Sequence, residues 1–152
     1  MGWLSRLLGA RACERDLLGD LTDAYRAEAE HAAHLRQHAV RARYPQAGAA
    51  LQGLAEQEER HAGSLRDLIQ SLGGGVPPIA PEPLAGHNPW ARAVAAHKAA
   101  HDKRHAHISR INQWDPGHPE VVVVLRAIER EDAACMGIYD GLIMRSDPQS
   151  SD

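Results

Sequence analysis

The chain has 152 residues, enough for one domain with a buried core, and its 43% hydrophobic and 24% charged content is that of an ordinary folded protein rather than a disordered one. Aromatics are only 4% and phenylalanine is absent, so the core must be built from Leu, Ala, Val and Ile, which suits packed helices better than a sheet sandwich. A net charge of −3 gives no electrostatic reason to expect nucleic acid, and Cys13 and Cys135 lack the spacing of a disulfide framework or thiolate zinc site. Ten histidines are many for this length and call for an explanation.

The first residues carry Trp3, Leu4, Leu7 and Leu8 as an apolar stripe flanked by Arg6 and Arg11. Residues 1–14 read as an amphipathic segment expected to dock on the protein or on a second subunit rather than on a membrane. They are too short for a secretion signal, and Gly2 lacks the Ser or Thr that myristoylation wants where Arg6 stands. With no apolar run approaching the roughly 18 residues of a membrane span, the expected location is the cytoplasm.

Residues 15–145 read as four helices. The first runs from about Arg15 to Arg43, with Leu17, Leu21, Ala24, Glu28, His31, Leu35 and His38 at alternating steps of four and three, the seam of a bundle helix. Tyr44-Pro45 breaks it, because the residue before a proline avoids the helical region. The second helix carries Leu51, Leu54, Glu58, His61, Leu65, Leu68 and Leu72 on the same kind of stripe, and Gly73-Gly74-Gly75 stops it. Residues 73–88 are too rich in Gly and Pro to be helical. Asn88 then reads as an N-cap with Pro89 as the first helical residue.

The third helix is expected to face inward with Trp90, Val94, His97, His101, Ile108 and Ile111. The fourth, opened by Pro119, is expected to use Val122, Leu125, Glu129, Asp132, Met136, Tyr139 and Ile143. Residues 146–152 form a polar tail. Short turns make each consecutive pair an antiparallel hairpin. The stretch 73–88 can reach roughly 50 Å when extended, while a helix of about 28 residues is roughly 42 Å long. The crossover can therefore run the length of the bundle, which gives the ferritin-like arrangement of two hairpins joined by one long connection.

Each seam carries ionisable residues near its middle. Glu28 with His31, and Glu58 with His61, both have Glu-x-x-His spacing, which puts carboxylate and imidazole one turn apart on one face. A hairpin folded about Tyr44-Pro45 sets Glu28 level with His61 and His31 level with Glu58. A second hairpin folded near Pro116-Gly117 sets Asp132 level with His101, and Glu129 near Arg104 and His105. Four buried carboxylates (Glu28, Glu58, Glu129 and Asp132) would be costly without partners, and two divalent cations would balance them. His61 and His101 complete the expected ligand set. Oxygen donors with a minority of imidazoles suit iron or manganese, with zinc as a further candidate. His31, His105, Tyr25 and Tyr139 are expected around this set.

A blander reading stands beside each of these. His97, His101 and His105 recur every four residues and could form a solvated stripe with Lys98, Asp102 and Lys103, or a separate zinc or nickel site. Tyr25, Tyr139 and Cys135 could be ordinary core residues, and Glu129 and Asp132 could pair with Arg126 or Arg130.

With those residues in place, the chain resembles the ferritin-like superfamily, specifically the small bacterial rubrerythrin-like and bacterioferritin-like bundles. Glu28 matches the glutamate of their first helix, and Glu58 with His61 matches the Glu-x-x-His of their second. His101, beside Asp102, stands where the family has a glutamate on the third, and Glu129 with Asp132 where it has Glu and His on the fourth. The resemblance implies a non-haem di-iron protein reacting with dioxygen or peroxide, with ferroxidase, peroxide-scavenging or storage-linked activity and often a homodimer. No Cys-x-x-Cys rubredoxin-like module is present to supply electrons. The alternative is a bundle of the same fold that has lost its metals and serves as an interaction protein.

Overall fold

The computed structural model describes residues 3–80, 82–83 and 85–149, with side chains described from Glu14 onward, Arg15 excepted. Four helices follow in order: α1 (Trp3–Val40), α2 (Pro45–Ser71), α3 (Pro89–Trp114) and α4 (Pro119–Met144). α1 is continuous from Trp3, so the segment expected to precede the bundle belongs to its first helix. The stripe of Trp3, Leu4, Leu7 and Leu8 lies outside the described side chains.

Proline opens each of the last three helices, where its missing N–H costs no hydrogen bond and its fixed φ suits the first turn. Asn88 caps α3 as the sequence implies, its Oδ1 accepting the Ala91 N–H at 2.7 Å. Its Nδ2 donates to the Pro148 carbonyl at 2.9 Å, which holds the tail against the start of α3. Gly73, at φ +82°, turns the chain out of α2 in a left-handed conformation that side chains disfavour, while the Gly74 N–H closes on the Ile69 carbonyl at 2.9 Å. Gly86, at φ +102°, leaves no room for a Cβ, which would lie 2.6 Å from the Arg92 nitrogen.

α1 packs against α2 and α3, and α4 packs against α3 and α2. Asp20 meets Arg110 and Glu28 meets Lys103, so α1 and α3 run in opposite directions. Gln57 meets Cys135 and His61 meets Glu131, so α2 and α4 do too. With both hairpins antiparallel, α2 and α3 point the same way, and the 73–88 connection crosses the whole bundle as its length suggested.

The core falls into two apolar clusters. One holds Leu17, Leu21, Leu65, Ile69, Trp114, Val121, Leu125 and Ile128. The other is richer in alanine and holds Leu35, Leu51, Leu54, Ala55, Ala93, Ala100, Tyr139 and Leu142. Between them lies a layer of buried ionisable residues: Glu28, His31, Glu58, His61, Lys103, His107 and Asp132.

The stripes of α1 and α2 face inward as their Leu spacing requires. On α3 the inward line is Ala93, Ala100, Lys103, His107 and Trp114, one residue round from the expected His97–His101–Ile108 line, a rotation of about 100°. On α4 Ile128 is buried beside Asp132, and Glu129 stands at the edge.

A candidate metal centre in the buried polar layer

The level matching of the first hairpin brings its two Glu-x-x-His pairs together. His31 Nδ1 lies 3.4 Å from Glu58 Oε1, and His61 Nδ1 lies 3.5 Å from Glu28 Oε2. α4 adds Asp132, whose Oδ1 is 3.4 Å from the same His61 nitrogen. Glu28, Glu58, His61 and Asp132 are all buried, and one donor atom from each lies within 4.8 Å of the others, so the group could hold a metal ion. His61 Nδ1 is close to two carboxylates yet makes no hydrogen bond. Its other nitrogen, Nε2, is 3.1 Å from the half-exposed Glu131 carboxylate. A proton on Nε2 donated to Glu131 leaves the Nδ1 lone pair facing Glu28 and Asp132, the orientation a metal-ligating histidine takes from an outer carboxylate.

α3 contributes a cation. Lys103, 5% exposed, points its ammonium into the layer. Nζ hydrogen-bonds Glu28 Oε2 at 2.7 Å, contacts Glu58 Oε2, and lies 3.2 Å from Asp132 Oδ2. One turn on, His107 Nε2 sits 2.6 Å from Glu28 Oε1. Lysine is rarely buried unless paired, and here three carboxylates pair it.

Burial and charge pull these groups apart. Burial works against the Glu28 carboxylate, but contacts with Glu58, His107 and His61 and the Lys103 charge hold its pKa well below the usual value. Glu58 is pushed up, by burial first and then by Glu28 beside it. Asp132 is also pushed up by burial, with Lys103 only partly opposing. For His61, burial favours the neutral ring, but Glu28, Asp132 and Glu131 outweigh it and raise the pKa. Burial likewise opposes the Lys103 charge, and the carboxylates more than restore it.

Two expected ligands stand elsewhere. His101 is exposed, its ring tilted against that of His105 with centres 4.4 Å apart and the two Nε2 atoms 3.3 Å apart. Glu129 pairs with Arg104 at 2.8 Å on the bundle's flank. The axial level assigned to Glu129 is therefore the observed one, and only the rotation of the two helices differs. The solvated-stripe reading fits His101, His105 and the Lys98–Asp102 ion pair, but not Lys103. His97 meets Asp140 at 3.3 Å at the edge.

Of the residues expected around the site, His31 touches Glu58 and stacks on Tyr139 with ring centres 5.9 Å apart. The Tyr139 hydroxyl is buried without a hydrogen-bond partner, and burial raises its pKa. Tyr25 is half-buried and packs on the Leu-rich cluster. The layer thus holds three carboxylates and an ammonium, rather than the four carboxylates on which two divalent ions were expected. Lys103 and His107 are the residues the seam reading missed. Their signal was the seven-residue recurrence Ala93–Ala100–His107–Trp114, with Lys103 between.

A groove of about 780 Å³ opens beside the α1–α2 turn, between Tyr44 and Leu142, and none of the layer's charged residues lines it. No protein-family model matches the chain, and no curated protein matches it. Among the described residues no helix is long and apolar enough to cross a membrane.

Proposed function

We propose that this protein is a non-haem metal protein of ferritin-like type, in which Glu28, Glu58, His61 and Asp132 hold a divalent cation, iron(II) first among the candidates. The observation that carries this reading is His61 Nδ1, buried without a hydrogen-bond partner between two carboxylates, while Nε2 is fixed from outside by Glu131. Donor separations of 3.4–3.5 Å are close to those between ligands sharing one ion at bond lengths of about 2.0–2.2 Å. Bound iron would supply electrons to a small oxidant such as dioxygen or peroxide. The chain's own part is to present ionised oxygens, exclude water with the apolar clusters on both sides, and take up or release a proton at His61. With the Nε2 proton held by Glu131, His61 would offer its Nδ1 lone pair to a cation only as the neutral ring, so binding would weaken as the ring takes up a second proton.

A second reading, a bundle without metal that serves as an interaction protein, draws support from Lys103, whose contacts balance part of the buried charge unaided. Metal content by mass spectrometry, after anaerobic Fe(II) loading and desalting, separates the two. The metal reading expects iron retained by the wild type and lost in Glu58→Ala. A wild type that retains none supports the second reading.

A further inference from the structure

We infer that Lys103 is a built-in cation that takes the place of a second metal, so that the centre binds one divalent ion per chain. This rests on the metal reading above and sets its stoichiometry.

Lys103 is 5% exposed, and its ammonium contacts all three carboxylates of the layer from the α3 side. His61 Nδ1 approaches two of the same carboxylates, Glu28 and Asp132, from α2. Three ionised carboxylates and one ammonium carry a net charge of −2, which a single divalent ion neutralises. A second ion would leave the buried layer at +2 with no further carboxylate inside it, since Glu129 is committed to Arg104 at the flank and Glu131 is half-exposed. Buried net charge of that size is strongly disfavoured. Lys103 is also hard to move aside, because α3 packs it between Ala100 and His107, both buried.

The test uses Mn(II), which favours oxygen donors, in a His101→Ala/His105→Ala background that removes the exposed imidazole pair. Native mass spectrometry is expected to count one Mn(II) on the Lys103-containing chain and two after Lys103→Glu, which brings the layer to four carboxylates. The paramagnetic resonance spectrum should change from that of an isolated ion to that of a coupled pair. Two ions with Lys103 present overturn the inference, as does one ion in a folded Lys103→Glu chain. No ion with Lys103 present removes the metal reading itself, so the two failures are distinguishable. Should Lys103→Glu not fold, Lys103→Gln decides by calorimetry. Loss of the charge is expected to tighten the single Mn(II) at least tenfold, and unchanged affinity overturns the inference.

Discussion

The two hairpins contribute to the polar layer in different ways. The first supplies two matched Glu-x-x-His pairs, each imidazole beside the other helix's glutamate. The second supplies unlike residues: an ammonium and an imidazole from α3 and one carboxylate from α4. The first half alone would bury two carboxylates with only histidines to answer them. The second half brings a permanent positive charge, and so lets the layer exist without metal while leaving it short of positive charge. A site of this kind is poised rather than saturated.

The sharpest way to break that asymmetry is to remove the permanent charge. Lys103→Met in the metal-free protein leaves three buried carboxylates without their common partner and should cost about 3–5 kcal/mol, read from urea denaturation. Mn(II) should restore much of the loss. Next in size is the outer support of the first half. Glu131→Gln should weaken metal binding by about 10–100-fold with little change in metal-free stability, checked by calorimetry and thermal melting.

Acidity sharpens the comparison further. Glu58 and Asp132 have folded pKa values above their unfolded ones, so the folded chain loses stability as pH rises through them. His61 is also raised. Its contribution is complete below its unfolded value of about 6.5 and is lost as pH rises through the folded one. Glu28 runs the other way, contributing above its unfolded value of about 4.3 and losing that as pH falls through its lowered one. Lys103, raised, stays charged throughout this range. The metal-free chain should therefore melt highest at roughly pH 4.5–6 and lower at pH 8. Mn(II), which needs ionised carboxylates and a neutral His61, should move the optimum upward, as thermal melts across pH with and without the ion will show.

The smallest effects belong to residues the sequence suggested and the fold places on the flank. Glu129→Gln and His101→Ala should each change stability by no more than about 1 kcal/mol, and neither should alter metal binding by the inner layer.

These outcomes bear on what a sequence of this kind discloses. Axial positions were legible in both hairpins, because a tight turn fixes which residues share a level, and Arg104–Glu129 confirms this even where Glu129 is not in the layer. Rotation was legible only in α1 and α2, where leucines mark one face. α3 buries Ala93 and Ala100, small residues that mark a face weakly, while the larger, half-buried Val94, Ile108 and Ile111 mark a line one position round. α4 spreads valines around its start, with Val123 68% exposed beside buried Val121 and Val122. Lys103 was hidden for a further reason: the usual expectation that lysine faces solvent is overturned by three carboxylates that only the tertiary fold assembles.

The sandwiching of this charged layer between two apolar clusters also governs alignment. The 73–88 crossover is long enough to let the second hairpin slide against the first, and alanine-rich surfaces would resist such sliding only weakly. A slip of one helical turn, about 5.4 Å, would carry Lys103 and Asp132 off their partners and into leucine, leaving charges stranded at both ends of the displacement. The layer therefore acts as a key cut at one height. It tells the returning hairpin where along the first to stop.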